Sequence, residues 1–463
     1  MVTLHKRLGR AVNVYTMDLR GTGRSSRLEC VSSQATTSGS PSGTDIDPTE
    51  VAACARGLQN KYGDLASFSV TSAAMDVSTF ILKHTNGASN IVYGSSHIAT
   101  LMLQRLMQLK PSGVTGYVLD SAAASVVPSG KKTYWSKWDV DFNEVSEHVL
   151  NLCSEDTDCS SHFKTATLSA TLHDVMSKFD KDPNSTCATL VRNFTEDEPS
   201  SGLRSTLGGL VRGPPMRSLI PPVVYRLNRC EPLDVESLTR FFTIITQDAG
   251  TAGDTLISNV AFQMTIFSEM WPKPSPSYAE LEAQHKNLSI SFLGVYESLP
   301  LYCAYTKDQS PVCEEYTFGH YEANPIAYSK DHFWSEAAVV SSEASVLLLS
   351  GKLDVQAHHK YSEYIYEALE TSKKELVVFD FSSHKTLEDT AFGESETTCA
   401  MELLASFVSC NGDLACLDKS CMAEMPAFDM TVPADIAENC FGSMDAYDGA
   451  LIENAGIAGG TPA

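Results

Sequence analysis

The chain of 463 residues predicts an α/β fold: a mostly parallel sheet flanked by helices and interrupted by a long helical insertion. Three observations carry this. Short β-branched runs recur at wide intervals, each followed by turn residues and then a helical pattern, as expected for parallel strands joined by crossover helices. After one of these runs Ile98, Leu101, Met102, Leu106 and Leu109 fall at helical spacing, an apolar stripe suited to packing on a sheet. Residues 125–344 differ in texture, being Trp-rich at the start, studded with proline and mostly helical in pattern.

In chain order, strands are expected over residues 12–17, 90–93, 116–119, 345–349 and 375–379. The first runs into the glycine-rich turn Asp18-Leu19-Arg20-Gly21-Thr22-Gly23-Arg24-Ser25. That turn lacks G-x-G-x-x-G and G-K-[ST], so phosphate cradling is not indicated; Gly21 and Gly23 suit positive φ, and Asp18 and Ser25 can tie the turn. A helix over 72–83 carries Ala73, Val77, Phe80 and Ile81 on one face. Within the insertion, residues 235–246 and 255–271 have helical apolar spacing, and Gly213-Pro214-Pro215 and Pro221-Pro222 punctuate the connections. A helix from about Cys399 precedes the group Cys410, Cys416, Cys421 and Cys440, and the small-residue tail 449–463 is expected to fray. The expected organisation is a first core segment 1–124, a helical insertion 125–344, a second core segment 345–440 and a flexible tail 441–463.

Acidic residues number 57 against 34 basic ones, a formal charge of −23 that argues against nucleic acid as a partner. Hydrophobic residues at 43% and charged residues at 20% are a globular balance, which supports a large core. No run approaches the roughly 18 apolar residues of a membrane span. Thirteen cysteines and three sequons, at Asn184, Asn193 and Asn287, point to the secretory pathway or the extracellular space. The first ten residues hold no apolar stretch long enough for a secretion signal. Cys153 with Cys159 and Cys303 with Cys313 are easy short-range disulfides; Cys30 with Cys54 and Cys187 with Cys230 are plausible longer ones, the connectivity remaining open. Zinc is the rival for Cys410, Cys416 and Cys421, but their spacing lacks tight C-x2-C knuckles and no histidine lies nearby, so no metal or cofactor is expected.

The sharpest local signal is Ile91-Val92-Tyr93-Gly94-Ser95-Ser96-His97-Ile98, an apolar strand entering a Gly-x-Ser turn that opens a helix. In a nucleophile elbow the serine oxygen is exposed at such a turn, and the next backbone N–H, here that of His97, is placed to bind an oxyanion. Ile98 stands where G-x-S-x-G has its second glycine, and a crowded turn is expected there. The bland alternative is an ordinary strand-to-helix loop with a serine cap. A nucleophilic serine needs a base and an orienting acid, in the chain order Ser, Asp or Glu, His. Asp354 follows the buried run 346–350 and His384 follows 375–379, so three strand ends can bring them together with Ser96. Singly, Asp354 reads as a turn residue and His384 as a loop histidine; their order and placement give the set its force. His358 and His359 are expected at the surface, the His97 side chain in the site entrance, and Asp120 as an anchor for the turn into the insertion.

In these segments the chain resembles the α/β-hydrolase superfamily, specifically the secreted tripeptidyl-aminopeptidase-like and prolyl-aminopeptidase family of serine peptidases. The resemblance rests on 18–25, on Tyr93-Gly94-Ser95-Ser96, on 116–120, on 347–354 and on the late His384, in that order along nearly the whole chain. It implies an α/β-hydrolase fold with 125–344 as a helical cap. It also implies Ser96, Asp354 and His384 as nucleophile, acid and base, and hydrolysis of short peptides from a free N-terminus. A monomer without cofactor is expected. The family's Gly-Gly-Pro type oxyanion loop, its first strands and a signal peptide are expected to precede Met1. A carboxylesterase on the same triad, and a catalytically impaired homologue acting only in binding, are the alternatives.

Overall fold

The computed structural model describes residues 1–30, 45–247 and 257–452. By internal contacts the chain divides into two compact units. One comprises Met1–Trp138, Asp254–Glu282 and Val295–Pro426; the other comprises Asp139–Gly253, Ala283–Gly294 and Ala427–Ala463. The first unit therefore takes in 125–138, 254–282 and 295–344 from the stretch read as an insertion, and the second takes in residues from 427 onward.

The first unit holds a four-stranded parallel sheet, ordered β1 (Asn90–Ser95), β2 (Val114–Asp120), β3 (Ser345–Gly351) and β4 (Lys374–Phe379). Each strand extends the apolar run expected from the sequence by one to three residues. The central strand β3 is buried at every position, which explains why it reads as an unbroken hydrophobic run without alternation. Val118, Leu347, Leu349, Val377 and Phe379 meet Leu403, Leu404 and Phe407 of the helix Cys399–Ser409 in one core. Each fully buried side chain of this kind stabilises the fold by ~1.5–3 kcal/mol. That helix begins where the Thr398 hydroxyl accepts from Met401 N–H. The helix Val70–His84 begins in the same way at Ser69.

Residues 12–17 do not form the expected strand. Val12 and Val14 are half-buried and Asn13 and Tyr15 exposed, so the alternation is present, but the segment joins no ladder among the described residues. The sheet ends at β1, and a cavity of about 520 Å³ lies between that strand and the segment. A ladder requires a neighbour at ~4.8 Å, which periodicity alone cannot supply. The turn that follows has Gly21 and Gly23 at φ 91° and 54°, with Arg24 N–H donating to the Asp18 carboxylate at 2.9 Å.

The helix expected over 255–271 runs Asn259–Glu269, started by the Ser258 hydroxyl accepting from Ala261 N–H; residues 255 and 256 lie outside the described residues. That over 235–246 runs Pro232–Gln247 in the second unit. This unit is built of helices, and inside it the buried Asp234 pairs with Arg226 at 3.3 Å and Arg229 at 2.7 Å. Of the tail expected to fray, 453–463 lies outside the described residues.

Twelve cysteines form six disulfides: Cys30–Cys54, Cys153–Cys159, Cys187–Cys230, Cys303–Cys313, Cys399–Cys421 and Cys410–Cys416. Cys410, Cys416 and Cys421, the group weighed for zinc, are thus held in disulfide bonds. Cys440 is the thirteenth, a buried thiol that burial pushes up to about 11. No helix among the described residues is long and apolar enough to cross a membrane.

Candidate active site

The C-terminal ends of the four strands align at one edge of the sheet: Ser95 lies opposite Asp120, Asp120 opposite Leu349, and Gly351 opposite Phe379. In open parallel sheets this is the edge where sites form, because the turns leaving successive strands converge there.

β1 passes into the helix Ser96–Leu109 with no intervening loop. Ser96 takes the whole change of direction, at φ 70°, a left-handed conformation that costs a non-glycine residue ~1–2 kcal/mol. Gly94 makes the turn possible: a Cβ there meets Leu103 Cδ1 at 2.8 Å and the Ala99 carbonyl oxygen at 3.0 Å. Ile98 does not crowd the turn as expected. Its side chain lines a separate cavity of about 280 Å³ with Phe68, Val70 and Phe262, so the bulk is accommodated away from the strand.

Asp354 and His384 leave β3 and β4 on turns in direct contact. Leu353 N–H donates to the Ser382 carbonyl at 3.0 Å, and any Cβ on Gly351 falls 2.2 Å from that same oxygen, so the approach requires glycine. His384 Nδ1 lies 3.0 Å from Asp354 Oδ2, and His384 Nε2 lies 2.9 Å from Ser96 Oγ. With Asp354 ionised, Nδ1 carries the proton and donates, leaving Nε2 to accept from the serine hydroxyl. Asp354 Oδ1 also accepts from the N–H groups of Gln356 and Ala357, at 2.9 and 2.8 Å.

Burial by itself would raise the Asp354 carboxyl, but the charge and hydrogen bond of His384 and the Ala357 N–H hold it below the usual carboxylate value. Burial would likewise lower His384, yet the charge and hydrogen bond of Asp354 outweigh it and keep the imidazole above its ordinary value. His97 N–H lies in the first turn of the helix that Ser96 opens, where backbone donors have no intrahelical partner.

Four features were not legible in the sequence. The His97 side chain is buried, not in an open entrance: its ring stacks on His384 at 6.3 Å and stands edge-on to Trp135 at 6.1 Å. Its Nε2 is buried with no partner among the described residues, and burial with the nearby His384 pushes it down to about 4, so the ring is neutral at pH 7. Asp120, read as an anchor for the turn into the insertion, accepts instead from Thr386 N–H and hydroxyl at 3.0 and 2.9 Å, and from the Tyr93 hydroxyl at 2.8 Å. Ser121, at φ 54°, accepts from Lys385 N–H at 2.8 Å. His358 is buried, not at the surface, because the turn after Asp354 folds inward before the helix Lys360–Ala368. A run of Asp-Ser after an apolar strand carries no sign of which distant loop it holds.

Asn184, Asn193 and Asn287, all in the second unit, are exposed. Among the described residues no group of three His, Cys, Asp or Glu side chains is arranged to hold a metal ion. No family model matches the chain, and no curated protein matches it.

Proposed function

We propose that the protein is a serine hydrolase of the α/β-hydrolase type that releases short peptides or amino acids from free N-termini. The observation that carries this is the run of contacts Ser96–His384–Asp354 at 2.9 and 3.0 Å, with Ser96 held at positive φ on a strand-to-helix turn. In this reading Ser96 Oγ attacks the carbonyl carbon while His384 Nε2 takes its proton; the oxyanion is met by His97 N–H. The intermediate collapses as His384 returns that proton to the leaving amine, giving an acyl-enzyme. A water molecule, deprotonated by His384, then releases the acid and regenerates Ser96. Asp354 fixes the tautomer of His384 and stabilises its imidazolium form.

The peptidase choice and the cap come from the resemblance of residues 18–25, 93–96, 116–120 and 347–354 to the aminopeptidase family. Six disulfides and three exposed sequon asparagines support an extracellular or secretory-pathway setting. The test compares tri- and dipeptidyl nitroanilides with a free N-terminus, the same substrates N-acetylated, and p-nitrophenyl butyrate. The aminopeptidase reading predicts turnover of the free-amine substrates and its loss on acetylation; preference for the ester overturns it.

A further inference from the structure

We propose that Ser121 is a positioning residue that joins the acid and the base of the triad through its one hydroxyl oxygen. This role rests on the serine-hydrolase reading of Ser96, His384 and Asp354. β2 supplies no member of that set, yet the residue just past its end reaches the neighbouring turns that do. Ser121 is fully buried, and its N–H donates to the Leu349 carbonyl of β3 at 3.1 Å. Its Oγ accepts from Lys385 N–H at 2.8 Å, one residue beyond His384.

The backbone shows that a side chain is needed here. Ser121 stands at φ 54°, in the left-handed region that glycine enters freely and other residues enter at a cost. Lys385, whose N–H it receives, is left-handed too, at φ 65°. A position that served only to turn the chain would be met best by glycine, so the hydroxyl is what the strain supports. With Oγ accepting from Lys385, the hydroxyl proton has two acceptors in reach. One is Asp120 Oδ1 at 3.3 Å, which already accepts from the N–H and hydroxyl of Thr386. The other is Asp354, whose ionised form the Ser121 hydroxyl helps to stabilise. Asp354 is fully buried, so its carboxylate depends on protein donors. Gln356 and Ala357 N–H groups reach Oδ1, and His384 Nδ1 stands 3.1 and 3.0 Å from the two oxygens. The Ser121 proton joins these donors. A carboxylate so held stays ionised and keeps one orientation toward Nδ1, as the imidazolium requires when Ser96 gives up its proton. Any displacement of residue 385 is passed to Asp354 through the same oxygen.

The test compares the unsubstituted chain with Ser121→Gly and Ser121→Ala by urea unfolding, by the rate of fluorophosphonate labelling at Ser96 and by amide exchange at Lys385. Glycine removes the hydroxyl and relieves the left-handed backbone; alanine removes the hydroxyl alone. Ser121→Gly is expected to be at least as stable as the unsubstituted chain. Its labelling should be slower by at least about tenfold, since a displacement of ~1 Å at a reacting group costs on the order of 10²-fold. Ser121→Ala is slowed to the same extent, and Lys385 exchanges at least about tenfold faster in both variants. A folded Ser121→Gly chain labelled at the unsubstituted rate, or with Lys385 exchange unchanged, overturns the proposal. So does a slowing that the lost stability of the variants accounts for, which makes Ser121 a packing residue. An unlabelled unsubstituted chain overturns the hydrolase reading instead, and Lys385 exchange, which needs no reaction at Ser96, still decides whether the bridge exists.

Discussion

Asp120 Oδ1 accepts from both the backbone N–H and the hydroxyl of Thr386, a residue 266 positions further along the chain and two beyond His384. The end of β2 thus clamps the loop that carries the imidazole. Asp120→Asn leaves the shape intact but turns one of the two acceptor positions into a donor, facing either Thr386 N–H or Leu387 N–H and the Tyr93 hydroxyl. A misplacement of ~1 Å at a reacting group costs on the order of 10²-fold in rate, so kcat is expected to fall by about that much with KM little changed. Because the Asp120 charge also helps to raise His384, the midpoint of the pH–rate profile should move down as well. A merely structural role would lower the folded fraction without moving that midpoint.

The pH dependence follows from the His384–Asp354 pair. General-base action needs neutral His384, and Asp354 holds the imidazole above its ordinary value, so kcat/KM should rise with pH through a midpoint above about 6.5. In Asp354→Asn the carboxylate is gone and burial remains, which sends the midpoint below about 6.5 and lowers kcat by on the order of 10⁴. Stability has a matching sign. The raised His384 contributes stabilisation that is full below its unfolded value and lost as pH rises through the folded one.

His97 acts in the opposite direction. Burial depresses it to about 4, so the unfolded chain takes up a proton that the folded chain refuses, and stability falls as pH drops from about 6.5 toward 4. The loss from this one residue is on the order of 3 kcal/mol. His97→Phe keeps an aromatic ring between Trp135 and His384 and removes the titrating group. Urea unfolding at pH 7 and pH 4.5 should show a smaller acid loss in the variant; an equal loss in both chains would remove His97 as the cause.

Gly351 is the narrowest point between the turns carrying Asp354 and His384, with its missing Cβ 2.2 Å from the Ser382 oxygen. Gly351→Ala must push those turns apart. The expected result is a folded protein with a loss of ~1–3 kcal/mol in stability, the range for overpacking, and a larger fall in kcat than that loss explains. Chemical denaturation and steady-state kinetics on the same preparation separate the two effects.

Much of this site is readable from the chain because each member follows a buried apolar run at a strand's C-terminal end, and strand ends in a parallel sheet converge. Ser96, Asp354 and His384 are nominated by that placement together with the Gly-x-Ser turn and the order Ser, Asp, His along the chain. What is not readable is lateral. The alternation of 12–17 is that of a strand, but among the described residues the segment pairs with no other, so the pattern shows the two faces and not the sheet. Asp120 and Ser121 hold residues 385–387 across the sheet, and nothing local to either segment announces that pairing. His97 and His358 are polar residues buried by contacts made far away in sequence, where the sequence suggested the site entrance for the first and the surface for the second.

The central claim, that Ser96 is a nucleophile activated by His384, is tested most directly by reacting the folded chain with a fluorophosphonate probe and locating the adduct by peptide mass spectrometry. The account predicts one adduct per chain, on Ser96, absent in Ser96→Ala and formed much more slowly in His384→Ala. A folded chain left unmodified, or modified equally well in Ser96→Ala, would contradict it.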